Sequence, residues 1–352
     1  MMKKILLLGG TGAIGGNLGE LAVEAGWDVY VTSRSPQINQ EGIHYILGNA
    51  KDEDFVSEIL QTNFDVVVDF MIYETSDFLR RVSGLLSCCS QYIFLSSARV
   101  YAASDVMLTE ESPRLLDVSK DDKFLSTDEY ALKKARQEDC LFNCGKDNWT
   151  IIRPYITYGM ERLQLGVLEK EAWLYRALRG KTVVFSEDML RCHTTLTHGR
   201  DVARAIAKLI GESSALGEAF HITGATSCNW ESILGIYRRA IGDSGLEVKL
   251  KNVGLDSFSR CHNGTYQIIY DRLYNRVFNN NKIDQFIDTT GFVSVEEGLY
   301  QSTIDFLQNP RFLQIDWSGE GAKDKITCEL TDVREIGDLK NTLRYLKYRF
   351  IK

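Results

Sequence analysis

Near its start the chain reads "KILLLGGTGAIGGNLGELAVEAG": an apolar run, a glycine-rich turn, then a helical pattern. No other feature limits the fold as tightly. Gly10, Gly12 and Gly15 satisfy G-x-G-x-x-G, and Gly9, Gly12 and Gly15 satisfy the wider G-x-x-G-x-x-G. Directly after a strand and at the opening of a helix, such a turn lets the backbone approach a pyrophosphate, whose charge is met by the free N–H groups of the first helical turn. A glycine-rich corner without a ligand is the alternative. Position, strand, helix and spacing agree instead on a dinucleotide site, with Ala13 and Ile14 inside the turn.

Four further apolar runs follow, "DVYVTS", "IHYILGN", "DVVVDF" and "QYIFLSS", separated by helical patterns. Unbroken Val, Ile and Leu suits strands covered on both faces, and intervening helices imply parallel crossovers. The expectation is an α/β protein, a doubly wound parallel Rossmann sheet with a smaller, mostly C-terminal α/β substrate domain. Residues 1–158 form the dinucleotide-binding part, about 193–223 return to it, and 159–352 form mostly the substrate lobe and a C-terminal helix. Beyond Gly159 the pattern predicts a helix in "VLEKEAWLYRALRG", a strand in "KTVVFS", a helix in "RDVARAIAKLIG", a strand in "AFHIT" and a helix in "NWESILGIYRRAIG". At the end, Leu339, Leu343, Leu346 and Phe350 make a stripe among Lys340, Arg344, Lys347 and Arg349. Such a helix is expected to dock on its own protein or a sister subunit.

Of 352 residues, 41 are Lys or Arg and 48 Asp or Glu, a net charge of −7. That balance argues against a nucleic-acid partner held by net charge. The apolar run after "MMKK" is too short for a signal segment and no later run is long enough to span a bilayer, so a cytoplasmic protein with its eight cysteines reduced is expected. No pair of Cys-x-x-Cys hooks occurs, and His193 and His198 lack an acidic partner, so no metal site is expected. The sequons at Asn148 and Asn263 are incidental in such a setting.

Two short stretches carry candidate chemistry. In "DEYALKKARQED" Tyr130 and Lys134 stand one helical turn apart, which puts a phenol and an ammonium on one face; a nearby cation can lower a phenol pKa toward the working range of a general base. "YIFLSSARVY" ends a strand with Ser96 and Ser97, and the carboxyl ends of such strands face the ligand crevice. The second strand ends in Ser33 and Arg34 rather than a carboxylate, and an Arg there suits a 2'-phosphate, favouring NADP(H) over NAD(H).

The glycine turn, Ser-Ser-x-x-Val-Tyr, the downstream Tyr-x-x-x-Lys and "IIRPYITYG", in that order over about residues 3 to 310, resemble the extended short-chain dehydrogenase/reductase family, especially its nucleotide-sugar epimerase and dehydratase branch. The resemblance implies that Ser97 hydrogen-bonds the reacting oxygen, that Tyr130 is the general acid/base, and that Lys134 binds the nicotinamide ribose and lowers the tyrosine pKa. It places Asn49 and Ala50 beside adenine, Phe70 and Met71 along the cofactor, and Tyr155 by the nicotinamide. Arg191 resembles a residue that grips substrate phosphates; Arg99 and His193 join it as candidate substrate contacts. Ala98 and Arg99 stand where dehydratases carry Asp-Glu, which disfavours elimination. The implied function is NAD(P)-dependent epimerisation of a nucleotide sugar by transient oxidation at a ring carbon, C4 by analogy. A 4-keto-sugar reductase using the same three residues is the first alternative, and a non-catalytic, RNA-associated protein on the same fold the second. A homodimer is implied by the resemblance alone.

Overall fold

A computed structural model describes residues 2–262 and 264–351; the sequon residue Asn263 lies outside them. Seven parallel strands form the central sheet: β1 (Lys4–Leu8), β2 (Asp28–Ser33), β3 (Ile43–Leu47), β4 (Val66–Asp69), β5 (Gln91–Leu95), β6 (Trp149–Pro154) and β7 (Glu218–Ile222). Their spatial order is β7-β6-β5-β4-β1-β2-β3, so the chain reverses direction across the sheet between β1 and β4. This is the doubly wound arrangement, whose ligand crevice lies at the carboxyl ends on either side of that reversal.

Alternate side chains of one strand reach opposite layers. Ile5 and Leu7 join a core with Val29, Val31, Val202 and Ile206, whereas Leu6 and Leu8 join one with Val56, Phe78, Val82 and Phe94. The helices supplying these layers are α1 (Ala13–Glu24), α2 (Glu53–Ile59), α3 (Thr75–Ser87), α4 (Tyr130–Phe142) and α5 (Gly199–Leu209). α5 belongs to the returning segment: Gly199 comes within 3.5 Å of the Ala13 side chain, measured from where its own Cβ would stand. A third core, built around Trp173, Val183, Phe185, Trp230 and Tyr237, lies under α6 (Trp230–Asp243) and α7 (Val295–Gln308).

Two expectations change. The stretch "VLEKEAWLYRALRG" is helical only over Leu174–Ala177. Leu165 and Leu168 pair as a bridge around Gly166 at φ +60°, and the buried Lys170 ammonium reaches back to the Glu161 carbonyl, so the first part turns instead of winding. Near the end, α8 (Trp317–Thr327) and α9 (Leu339–Leu346) pack together, the latter as a docked helix, but through Tyr345 and, of the stripe, only Leu346. Leu339, Leu343 and Phe350 are exposed, because Tyr345 donates its hydroxyl at 2.6 Å to the buried Asp324 carboxylate. Among the described residues no helix is long and apolar enough to cross a membrane, none of the cysteines forms a disulfide, and no group of His, Cys, Asp and Glu is placed to hold a metal.

His221 of β7 is buried and neutral. Its Nε2 meets the Asn279 carbonyl at 2.9 Å and its Nδ1 the Tyr101 hydroxyl at 3.3 Å, partners that fix the Nε2–H tautomer. Burial pushes its pKa from 6.5 down to about 4. The native state therefore refuses a proton that the unfolded chain accepts. Stability is complete above the unfolded pKa of 6.5 and is lost as pH falls toward 4, at about 1.4 kcal/mol per pH unit from this ring. Urea midpoints should show that slope in the native chain and a shallower one in His221→Gln; equal slopes would remove His221 from the account.

Candidate active site

Two cavities lie along the carboxyl edge of the sheet. The first, about 390 Å³, is lined by the glycine turn, the ends of β2 and β3, and the segment Phe70 to Ile72 after β4. The turn is built for close approach. Gly9 has φ +71°, and a Cβ there would meet the Met71 sulfur at 2.5 Å; one on Gly15 would meet the Gly10 carbonyl oxygen at 2.5 Å. Helix α1 starts with no side-chain cap at Gly12 and no acidic residue in its first turn, and the space a side chain at Gly12 would occupy is open. Free helical N–H groups facing open space are what a pyrophosphate requires, so the residues present fit a dinucleotide.

Of the expected cofactor contacts, Gly9, Ser33, Arg34, Asn49, Ala50, Phe70 and Met71 line this cavity. Gly12, Ala13, Ile14 and Gly15 form the adjoining helix start without lining it. The Ser33 hydroxyl is spent within its own turn, donating to the Ser35 carbonyl at 2.7 Å. Lys51, which the sequence reading missed, lies next to Asn49 and Ala50 on the same wall. It directly follows the expected pair Asn49 and Ala50 in the chain. No carboxylate lines this cavity, and among the described residues neither Arg34 nor Lys51 forms an ion pair through its side chain.

The second cavity, about 410 Å³, meets the first at Ile72 and is lined by Ser97, Arg99, Tyr130 and Tyr155 together with Arg162 and Arg272. Its volume suits a ligand of small-molecule size. Ser97 follows β5 and accepts the Arg99 N–H at 3.2 Å, which leaves its own proton free to donate. Tyr130 is the first residue of α4, whose cap is Glu129: one carboxylate oxygen takes the Ala131 N–H at 2.7 Å and the other takes an Arg99 Nη2 proton at 2.5 Å. One side chain thus starts the helix and anchors the guanidinium, which lies 5.1 Å from the centre of the Tyr130 ring.

Burial raises the Tyr130 pKa above 10, while Arg99 and then the Ser97 hydroxyl favour the phenolate. Arg99 is thus the strongest charge acting for ionisation. Lys134 stands elsewhere. It is 1% exposed, lines neither cavity, and donates to the Leu95 carbonyl at 2.6 Å above the Phe94 ring. Burial lowers its pKa to about 8, with Asp69 and Glu138 pulling the other way. Asp69, at the end of β4, is itself buried and raised by burial; it takes the Tyr92 hydroxyl at 2.8 Å and the Met71 N–H at 2.9 Å.

The structure does not bring Arg191 or His193 to the cleft. Both are exposed, in a loop whose backbone pairs with Asn229 and Asn275. The basic residues that do reach it are the expected Arg99 and, beside it, Arg162, paired with Glu169 at 3.0 Å, and Arg272. Arg272 ends a π-helical turn, Ile268–Arg272, an insertion that recurs at functional sites. In the sequence only the adjacent opposite charges Asp271-Arg272 among tyrosines hint at it.

Similarity to known proteins agrees with this geometry. A model of the NAD dependent epimerase/dehydratase family matches residues 5–223. The chain is 28% identical over 257 residues to the chloroplast stem-loop binding protein of 41 kDa b of Arabidopsis thaliana; the match covers 68% of this chain and spans only 64% of that relative's length. Among solved structures, UDP-glucuronic acid 4-epimerase from Bacillus cereus, in complex with UDP-glucuronic acid and NAD, superposes with TM-score 0.66 at 16% identity, covering 88% of this chain and 100% of the other. UDP-glucose 4-epimerase from Bifidobacterium longum, in complex with NAD+ and UDP, gives 0.66 at 17%, covering 88% and 99%. At such identities the likeness concerns the fold. The family match covers more than half of the chain, and with the glycine turn, the sheet order and the paired cavities it makes this protein a member of the NAD-dependent epimerase/dehydratase family.

Proposed function

We propose that the protein is an NAD(P)-dependent nucleotide-sugar epimerase that oxidises and re-reduces one ring carbon of its substrate, by analogy C4. The observation that carries this reading is the meeting of Ser97 and Tyr130 in one cavity that shares the wall residue Ile72 with a second, fitted for a dinucleotide. When bound, the dinucleotide supplies a hydride acceptor that becomes the donor in the return step. Ser97 Oγ donates a hydrogen bond to the reacting oxygen. Tyr130 Oη takes the hydroxyl proton and later gives it back. Arg99 holds the phenolate during the interval, and Lys134, engaged with the Leu95 carbonyl, positions the strand end that carries Ser97.

Gly9, the α1 start, Asn49, Ala50, Phe70 and Met71 would hold the dinucleotide, with Tyr155 toward the reacting end. Arg34 and Lys51, on a wall without a carboxylate, favour a 2'-phosphate and so NADP(H) over NAD(H). The stem-loop binding relative supports a second reading, RNA association without turnover. The net charge of −7 and the retained Ser97 and Tyr130 weigh against it.

The test is to incubate the pure protein with a panel of nucleotide sugars, with NAD(H) or NADP(H), following reduced-nicotinamide absorbance and product identity. An isomer of equal mass with no net absorbance change is the expected result, with tighter binding of NADP(H). Stoichiometric loss of the reduced cofactor would mean a reductase, and no turnover alongside tight RNA binding would mean the second reading.

A further inference from the structure

Arg99 is the least occupied guanidinium in the substrate cavity. Of its five N–H donors, one reaches an acceptor among the described residues, Glu129 at 2.5 Å. Its Nε is buried with no hydrogen-bond partner, the Asp271 carboxylate standing 3.6 Å away. Arg272 is by contrast nearly full: it bonds Asp271, the Gly166 carbonyl at 2.9 Å, the Tyr155 hydroxyl at 3.2 Å and the Gln164 side chain at 3.2 Å. Arg276 also uses Asp271, at 2.9 Å. Three guanidiniums therefore share two carboxylates, Asp271 and Glu129, while Arg162 and Glu169 neutralise each other. One positive charge is left over in a largely buried cluster. Excess charge of that kind is costly without a counter-ion.

We infer that the counter-ion is a carboxylate on the sugar ring itself, received beside the reacting carbon by the Nη1 end of Arg99, which no hydrogen bond within the protein occupies, so that the substrate is a nucleotide-linked uronic acid. This rests on the sugar-nucleotide reading above and refines it. Location decides against the diphosphate as the counter-ion. Arg99 follows Ser97 by two residues and stacks on Tyr130, so an anion on it stands beside the reacting group. In a nucleotide sugar the diphosphate is separated from C4 by the width of the ring. With Nε buried and one Nη2 proton on Glu129, the Nη1 protons and the second Nη2 proton of Arg99 are unspent, and that end of a guanidinium can meet a carboxylate through two parallel hydrogen bonds, which an ammonium cannot do.

Calorimetric titration with UDP, UDP-glucose and UDP-glucuronate, in the presence of the oxidised dinucleotide, tests the assignment. The native chain should bind UDP-glucuronate about tenfold or more tighter than UDP-glucose. Arg99→Met should abolish that preference and leave the affinity for UDP unchanged. Arg99→Lys keeps the charge facing Glu129 without the paired donors and should lose most of the preference; it serves where the Met variant does not fold. Absence of a preference in the native chain overturns the inference. So does equal weakening of UDP and UDP-glucose by Arg99→Met, which would assign the guanidinium to the diphosphate. Turnover is scored separately: a carboxylate preference dependent on Arg99 but without any sugar isomer formed would uphold this site and sink the epimerase reading.

Discussion

Tyr130→Phe is expected to fold as the native chain does, to bind the dinucleotide unchanged, and to lose turnover by about 10² to 10⁴-fold, the usual worth of a positioned acid/base. The phenol oxygen is the only atom removed. Phe keeps the ring against which Arg99 stacks, and α4 keeps its Glu129 cap, so the wall of the cleft stays in place. No other side chain in the cavity can readily replace the phenol. The other phenol of the cavity, Tyr155, donates to Asp271 and accepts from Arg272, each at 3.2 Å; Glu169 is held by Arg162 and Gln164, at 3.0 and 2.8 Å, and the remaining charged groups are guanidiniums or are committed to them. The free protein holds Tyr130 above its ordinary pKa of 10 through burial. Because the oxidative step needs the phenolate, kcat/KM in that direction should still be rising at about pH 9. Turnover in Tyr130→Phe within about twofold of native, with cofactor affinity preserved, would rule out Tyr130 as the proton carrier.

The largest effect on stability is expected away from the cleft, at Arg176. Its guanidinium donates to Glu320 at 2.7 Å, Asp324 at 2.8 Å and Glu329 at 2.9 Å, and its Nε to the Thr182 carbonyl at 3.0 Å. Arg176, Glu320 and Asp324 are each at most 1% exposed. Glu320 and Asp324 stand one turn apart on α8, so the arginine binds one face of that helix to the short helix Leu174–Ala177. Burial alone would raise the Asp324 pKa, but Lys181, Tyr345 and Arg176 more than offset it and hold it below the ordinary carboxylate range. Arg176→Ala leaves two buried carboxylates short of a partner. About 3 to 5 kcal/mol of stability should be lost, read from denaturant midpoints. A loss under about 1 kcal/mol would show that Lys181 and Lys323 can carry the charge alone.

The sheet was legible because both of its faces are covered. Strands sandwiched between helix layers need apolar side chains at every position, and "KILLL", "DVVVD" and "QYIFL" have them. Ser97 and Tyr130 were legible for a related reason: each sits at a fixed point of a regular element, one past a strand end and one at a helix start. Arg272 was not, since a π-turn follows no simple repeat and its partners Gly166 and Gln164 are more than a hundred residues away. Arg191 and His193 were misplaced because composition distinguishes a charged loop from a charged cleft wall only through tertiary contacts. The C-terminal stripe misled in the opposite sense. Its residues have the right spacing to dock, yet the hydroxyl of Tyr345 had a buried carboxylate to satisfy, and the face that turned inward carries Tyr345 and Leu346 and leaves Leu339 and Leu343 outside.

Ile72 belongs to the walls of both cavities. A displacement of that one side chain by either guest alters the shape presented to the other, and thermodynamic reciprocity then requires each occupant to change its companion's affinity by an identical factor.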